Sequence, residues 1–339
     1  MHDFRPRPAL RVPETRVPRA GVPAIDAHNH LGRWLSDWVR DDGGWVVEDV
    51  GALLALMDET GVEAIVNLDG RWGSELEANL DRYDRAHPGR FFTFCHVDWA
   101  DLAGAAGSLA ASRDAGARGL KVWKDLGLGV TDERGEFLLP DDPRLSDLWA
   151  AAGELGLPVL IHTADPVAFW DPLDATNERI EELEAHPEWS FADPRFPRWE
   201  RLLDALEGVV AAHPRTSFIG AHVCSCSEDL TRVDRMLAAY PNLHYDPSAR
   251  IGELGRQPRA ARRLIERHPD RVLFGTDVFP PTRAAYERHW RFFETDDEHF
   301  AYGSEENPWP QGRWYVSALD LPDEVLPRFY RDNCLKVIG

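Results

Sequence analysis

Cysteine, methionine and long apolar runs are scarce in this chain. It has four cysteines and three methionines among 339 residues. A disulfide framework of the kind that small secreted domains need is therefore not expected. No run of about 18 apolar residues is available to span a membrane, and the first residues lack the apolar segment of a secretory signal. These absences lead us to expect a cytoplasmic protein with reduced thiols.

Positive charge is scarce as well. Lys and Arg number 38 against 58 Asp and Glu, so the formal net charge is −20. Such a chain repels nucleic acid and acidic membrane surfaces, and neither is an expected partner. Hydrophobic residues make up 43%, which is enough for a large core. We expect the chain to act on a small-molecule substrate and to form a homo-oligomer.

The spacing of apolar runs predicts an α/β fold, a (β/α)8 TIM barrel. Residues 1–23 are rich in Pro and Arg and predict an extended N-terminal arm. From 24 to 339, strand-length apolar runs alternate with helix-length segments, as in one barrel domain with long βα loops at 124–143, 164–197 and 278–312. The predicted strands are 24–29, 63–69, 90–98, 118–123, 158–163, 216–222, 242–246 and 271–277. The predicted helices are 49–60, 75–86, 101–115, 144–155, 198–212, 228–240, 257–267 and a closing helix, 323–337.

The first predicted strand ends in a metal-binding pattern. In AIDAHNH, Asp26, His28 and His30 alternate and so share one face of a strand. Two imidazoles on one face can bind the same cation, and Asp26 is placed to orient a ligand. The H-x-H pattern alone is weak, because buried histidines with satisfied hydrogen bonds are common.

Three further strand ends carry polar side chains directly after apolar runs. His162 follows PVLI, His222 follows SFIGA and Asp277 follows VLFGT. A polar residue in such a place is costly unless it is paired or bound to a ligand. Because the carboxyl ends of barrel strands meet at one face, these residues and the H-x-H pair together predict a metal-dependent active site.

The order of these residues resembles that of the amidohydrolase superfamily of metal-dependent hydrolases, over nearly the whole chain. The most similar branch is the amidohydrolase-related one, which also contains aminocarboxymuconate-semialdehyde decarboxylase. The resemblance implies that one divalent metal is bound by His28, His30, His162 and Asp277. It further implies that Asp277 accepts a proton from metal-activated water. His222 would transfer a proton, polarise a carbonyl or bind a second metal.

Three histidines and one aspartate suit Zn²⁺, which we favour, but also Mn²⁺ or Fe²⁺. The expected reaction is hydrolysis of an amide, ester or lactone bond in a small molecule. One alternative is nonoxidative decarboxylation or another lyase reaction of the same branch. An alternative of another class is a catalytically inactive metal-binding barrel.

Lys121, in the fourth predicted strand, has three interpretations. A buried lysine needs a carboxylate, a carbonyl or a modification. By the resemblance, a carboxylated lysine at this strand would bridge two metals. A contact to the substrate and an ordinary ion pair are the other two interpretations, and we expect one metal.

Other candidates lie close to these positions in the sequence. Cys224 and Cys226 form a C-x-C pair outside the family pattern, and they are either two loop thiols or thiolates that reach the metal. An arginine at a barrel mouth can bind a carboxylate, and aromatic rings can line a pocket. The predicted substrate contacts are Arg33, Trp34, Trp123, Trp170 and Arg250.

Overall fold

Parallel strands form the centre of the molecule in the computed structural model, which describes residues 9–33, 43–304 and 306–339. They make one sheet in the order β1-β2-β3 and another in the order β4-β5-β6-β7. Beyond β3, the backbone of Cys95 donates to Gly119 at 2.8 Å and so links the two sheets beside β4. The strands are β1 (Ala24–Asn29), β2 (Val62–Asn67), β3 (Phe91–Thr93), β4 (Leu120–Val122), β5 (Val159–Ile161), β6 (Phe218–Gly220) and β7 (Leu243–Tyr245).

The predicted eighth strand, 271–277, is an irregular segment between β7 and β1. Its backbone is hydrogen-bonded to β7 at Leu273 (2.9 Å) and to β1 at Phe274 (2.8 Å). The pairing is interrupted at Thr276, because the N–H of this residue donates to the side chain of Asp26 at 2.9 Å instead of to a neighbouring backbone. It resumes at Asp277, whose N–H donates to the carbonyl of His28 at 2.8 Å. The segment takes the eighth position, and the (β/α)8 fold that the sequence predicts is confirmed.

Helices connect the strands close to their predicted positions, but each of the three predicted long loops contains a helix. Two of these are short, Asp125–Leu128 in 124–143 and Ile180–Ala185 in 164–197. The predicted loop 278–312 contains a 12-residue helix, Arg283–Glu294, whose first turn is capped by the hydroxyl of Thr282. The helices are α1 (Val50–Thr60), α2 (Gly73–Leu80), α3 (Ala105–Ala115), α4 (Asp125–Leu128), α5 (Ser146–Glu154), α6 (Ile180–Ala185), α7 (Trp199–Ala212), α8 (Ala221–Cys224), α9 (Leu230–Ala239), α10 (Ile251–Arg256), α11 (Pro258–Arg267), α12 (Arg283–Glu294) and α13 (Asn333–Ile338).

The described part of the predicted N-terminal arm, 9–23, contains no helix or strand and is mostly exposed. Thr15 donates its N–H and its hydroxyl to Asp297 at 2.8 and 2.7 Å. The N–H of Gly21 donates to Glu294, the last residue of α12. These bonds attach the arm to α12 and to the segment that follows it.

Apolar side chains fill the space inside the ring of strands. Residues from β1, β2, β5 and β6 belong to one buried cluster, which includes Ile25, Ala64, Leu160 and Ile219. Since these strands lie on different sides of the ring, the cluster is a packed interior and not a channel. Within the described residues, no helix combines the length and the apolar character that crossing a bilayer requires.

Candidate metal centre

A cavity of about 210 Å³ opens at the carboxyl ends of the strands. This is the end of a (β/α)8 barrel at which active sites lie. The structure brings all five of the main sequence candidates to this cavity, and they line its wall: His28, His30, His162, His222 and Asp277.

His28, in β1, and His30, directly after it, are oriented by carboxylates that follow β7 and β2. Nδ1 of His28 lies 3.0 Å from Asp246, and Nδ1 of His30 lies 2.7 Å from Asp69. A carboxylate there holds a proton on Nδ1 and leaves the Nε2 lone pair free, which is the arrangement of metal-binding histidines. Each Nε2 faces Asp277, at 3.8 Å from His28 and 3.4 Å from His30.

A third imidazole faces the same carboxylate. Nδ1 of His222 donates to the backbone carbonyl of Ser248 at 2.9 Å, so its Nε2 also presents a lone pair, 3.9 Å from Asp277. His222 and Asp277 both have left-handed backbones, with φ of 56° and 55°. Such strain costs free energy and is typical of functional sites. Gly275 permits the close approach of the two strands, since a Cβ there would lie 2.8 Å from that of His28.

The balance of hydrogen-bond donors and acceptors indicates a cation-binding site between Asp277 and the three imidazoles that face it. Three Nε2 lone pairs and a carboxylate are all acceptors, and no donor of the described residues lies among them except Lys121. Burial lowers the pKa of His30, but the carboxylates of Asp69 and Asp277 outweigh burial and raise this pKa. Burial favours the neutral acid at Asp277, yet the imidazoles of His28 and His30 hold its pKa below the usual range. The side chains of His28, His30 and Asp277 are close enough to share one metal ion.

His162 lies beside this trio. Its ring centroid is 4.4 Å from that of His222, and burial lowers its pKa to about 4, so the ring is neutral. Its Nε2 is buried and makes no hydrogen bond, although Asp165 is 3.4 Å away. A buried nitrogen without a hydrogen bond, on the wall of this cavity, fits a ligand to a metal. Its role as a metal ligand remains a prediction.

Lys121 lies beneath the centre and does not line the cavity. Its ammonium is 3.5 Å from Nε2 of His28 and 4.8 Å from the centre of the Trp123 ring. Burial lowers the pKa of Lys121 to about 8, although Asp277 and Asp246 oppose this shift. The three interpretations of this lysine remain open, but contact with the substrate is the least favoured by its position.

The predicted substrate contacts divide into two groups. Trp123 and Arg250 line the cavity. Arg33 does not, because its exposed side chain pairs with Glu75 at 2.5 Å. Trp170 does not line it either, since its indole N–H donates to Pro197 and its ring packs on Phe191; its neighbour Phe169 lies at the cavity instead. Trp34 lies outside the described residues.

The C-x-C cysteines are in the hydrophobic core. Cys224 and Cys226 are both buried, and neither lines the cavity. Burial raises the pKa of both thiols, that of Cys226 to about 12. Neutral thiols are poor metal ligands, so their place in the fold favours the interpretation as two ordinary thiols.

Several residues of the site escaped the sequence argument. Asp69 and Asp246 also follow apolar strands, so the signal that identified Asp277 was present for them. Asp26, which the sequence places to orient a ligand, accepts the backbone N–H of His28 at 3.3 Å and the hydroxyl of Thr276 at 2.7 Å, and so fixes the segment that ends at Asp277. The remaining wall residues come from the βα loops and from the short helix α6 within one of them, and no pattern in the sequence marks them: Lys124, Asp165, Pro166, Arg179, Glu182, Trp189, Ala249, Phe279 and Gln311.

Comparison with known proteins identifies the family. The profile of the Amidohydrolase family matches residues 25–339. The chain belongs to the amidohydrolase family. It is thus an enzyme, and its family is the one that the pattern of histidines and aspartate resembles. No curated protein matches the chain.

Solved structures share the fold at low sequence identity. A 2,6-dihydroxybenzoate decarboxylase from Rhizobium is 16% identical with a TM-score of 0.62, covering 94% of this chain and 98% of that one. A dihydroxybenzoic acid decarboxylase from Polaromonas, with bound manganese and 2-nitroresorcinol, is 16% identical with a TM-score of 0.60, covering 94% and 97%. An amidohydrolase from Burkholderia multivorans with bound zinc is 16% identical with a TM-score of 0.52, covering 94% and 99%. At these identities the likeness shows the fold alone.

Proposed function

We propose that this amidohydrolase is a metal-dependent, nonoxidative decarboxylase of a small aromatic or unsaturated carboxylic acid. The observation that carries the proposal is Arg250, a cavity-lining arginine that is only 5% exposed. Among the described residues no carboxylate forms an ion pair with it, and its guanidinium donates only to the adjacent carbonyl of Ala249 at 2.9 Å. Its charge acts on the nearby carboxylates of Glu182, Glu228 and Glu253 without pairing directly with any of them, so its guanidinium is available to bind the carboxylate of a ligand in the cavity.

The cavity walls support a flat substrate. Aromatic rings from three different segments face it: Trp123, the pair Phe169 and Trp189 of the loop 164–197, and Phe279. Flat apolar walls favour a ring or another planar unsaturated group. The two decarboxylases of dihydroxybenzoates among the structural neighbours agree with this substrate class.

The donor set fits a single divalent metal. We assign His28, His30, His162 and Asp277 as its ligands and favour zinc, with manganese as the alternative. A divalent cation held there would act as a Lewis acid and stabilise negative charge on the oxygen atoms of the substrate. Lys121 already places a positive charge 3.5 Å from His28, which disfavours a second cation on that side.

The chain supplies both groups needed to move a proton. Asp277, whose low pKa keeps it ionised, takes a proton from a substrate hydroxyl or from solvent and delivers it to the carbon that loses the carboxylate. The carbon–carbon bond breaks, its electron pair forms the new carbon–hydrogen bond, and carbon dioxide leaves. Nε2 of His222 accepts a hydrogen bond and so orients the substrate beside Asp277.

Hydrolysis is the second candidate, and one observation favours it. An ionised Asp277 beside two imidazoles is equally suited to take a proton from water. The two reactions differ in which atoms come from the solvent. Decarboxylation adds one solvent hydrogen to carbon, whereas hydrolysis adds one solvent oxygen to a product.

Isotopically labelled water therefore tests the proposal. The metal-loaded enzyme is incubated with a panel of hydroxybenzoates in deuterium oxide and in water enriched in oxygen-18, and the products are analysed by mass spectrometry. We expect release of carbon dioxide and one deuterium on the ring carbon. Oxygen-18 in the product of an ester or lactone, with no turnover of any carboxylate, would replace decarboxylation by hydrolysis. Elemental analysis of the same enzyme should give about one metal per chain.

A further inference from the structure

A second and larger cavity adjoins the cavity of the metal centre. We call it the vestibule; its wall includes Ala185, His186, Trp309 and Arg313. Three further side chains line both cavities: Glu182, Trp189 and Gln311. Because the same side chains form the boundary on both sides, a molecule that extends past them from the metal centre enters the vestibule.

The sizes of the two cavities suggest that they act together. The inner cavity measures about 210 Å³ and the vestibule about 620 Å³. Pockets for small molecules are usually about 300–1,000 Å³, so the inner cavity alone is small and the pair lies within the range. We propose that the vestibule is a distal substrate subsite for an uncharged ring or flat apolar group. This inference rests on the proposed function in one respect, that the reacting carboxylate occupies the inner cavity.

An aromatic wall continues from one cavity into the other. The ring of His186 stacks on that of Trp189, with centroids 4.0 Å apart and planes inclined by 12°. Trp189 faces both cavities, whereas His186 faces the vestibule only. The His186 side chain is 47% exposed, which leaves part of its surface available for contact. A distal ring on the substrate would pack on this stacked pair.

The charges of the vestibule exclude a second acidic group. Its two basic side chains are engaged, because Arg313 pairs with Glu181, and His186 lies 3.4 Å from Glu188. Glu306 also lines the vestibule and has no ion pair among the described residues. A carboxylate on the distal group would find no unpaired basic side chain among the described residues of the vestibule, and the carboxylate of Glu306 would repel it. The carboxylate-binding arginine, Arg250, is confined to the inner cavity.

Three ligands separate the two subsites. Salicylate fills the inner cavity, 4-phenylsalicylate adds a neutral distal ring, and 4-(4-carboxyphenyl)salicylate adds a charged one. Their dissociation constants for the metal-loaded enzyme are measured by calorimetry. We expect 4-phenylsalicylate to bind about five- to tenfold more tightly than salicylate, as one additional aromatic contact allows. The distal carboxylate should remove this gain.

The variant His186→Ala distinguishes the vestibule from the metal centre. It should remove most of the gain for 4-phenylsalicylate and leave the affinity for salicylate unchanged, because His186 does not line the inner cavity. His213→Ala, at the C-terminus of α7, is the control and should change neither affinity.

Equal affinities for salicylate and 4-phenylsalicylate in the wild-type enzyme would overturn the inference. An equal loss for both ligands in His186→Ala would also overturn it. If salicylate fails to bind but 4-phenylsalicylate binds in a His186-dependent way, the vestibule is supported and the proposed function is contradicted. If neither ligand binds, both proposals fall.

Discussion

Two buried polar clusters face the same cavity, and they differ in how their charges are balanced. The lid cluster consists of Arg179, which is 1% exposed, with Glu182 at 2.5 Å and Glu253 as its ion-pair partners. The metal centre consists of imidazole nitrogens that surround one carboxylate, Asp277. The lid cluster therefore holds both signs of charge, while the metal centre consists mainly of acceptors, which a bound cation would balance.

This difference distinguishes a polar cluster that stabilises the fold from one that is suited to binding an ion. In the lid cluster, the arginine of the loop 164–197 binds a glutamate of α10 and so ties that loop to the barrel. Its charges are paired within the chain, although Nε of Arg179 and Oε2 of Glu253 make no hydrogen bond with a described residue. At the metal centre, Asp69 and Asp246 orient the imidazoles of His30 and His28 so that their Nε2 atoms face Asp277, an arrangement that suits a cation. Buried polarity that the chain itself does not balance marks the reactive site.

The largest expected effect comes from neutralising the carboxylate of the metal centre. Asp277→Asn has the same shape but cannot accept a proton, so turnover should fall by about 10²–10⁴-fold. Substrate binding should weaken much less, since Arg250 is untouched. The measurement is kcat and KM of wild type and variant, both saturated with metal. Activity within tenfold of wild type would show that Asp277 is not the proton-transfer group.

His28→Ala is the matched comparison for metal binding. It should lower the metal content well below one equivalent while circular dichroism shows a preserved fold. His222→Asn should keep the metal and lower turnover. Full metal occupancy in the His28 variant, measured by elemental analysis, would exclude this ring as a ligand.

Breaking the lid cluster should act on stability instead. Arg179→Met leaves Glu253 and Glu182 buried without their cation, and such a loss costs about 3–5 kcal/mol of the free energy of unfolding. The half-exposed Arg201, which is 2.9 Å from Asp141, provides the control, and Arg201→Met should cost less than about 1 kcal/mol. Urea unfolding measures both, and metal content should be unchanged in both. Equal stability of the two variants would contradict the structural role of the lid cluster.

The parts of the site that the sequence predicted are those fixed by strand periodicity. His28, His30, His162 and Asp277 follow apolar runs, and the barrel forces the ends of those runs to one face. The eighth strand was predicted in position but not in its irregular pairing, because a side chain, Asp26, takes over a backbone partner. The replacement of a backbone acceptor by the side chain of Asp26 depends on tertiary contacts, so the periodicity of the sequence does not reveal it.

The site residues that lie in the βα loops could not be predicted in the same way. Arg33 and Trp170 are near the site in sequence yet contact Glu75 and Phe191, since a loop residue is directed by local packing and not by a shared face. Arg179 was not selected at all, although it lines the cavity. The helix α12 lies within a predicted loop because Pro and charged residues surround its amphipathic pattern and obscure it.

The smallest expected effect concerns the C-x-C pair. Replacing it tests whether any cysteine is a ligand of the metal. Cys224 and Cys226 lie in the core with raised pKa values, so at neutral pH both carry their protons and offer no thiolate to a metal. The double variant Cys224→Ala, Cys226→Ala should keep about one metal per chain and activity within about twofold. In the folded wild type, both thiols should react slowly with a thiol reagent and then quickly after unfolding. Cys334→Ala, another buried cysteine, controls for the loss of core volume. Loss of the metal in the double variant but not in this control would place a cysteine among the ligands and extend the metal centre into the turn after β6.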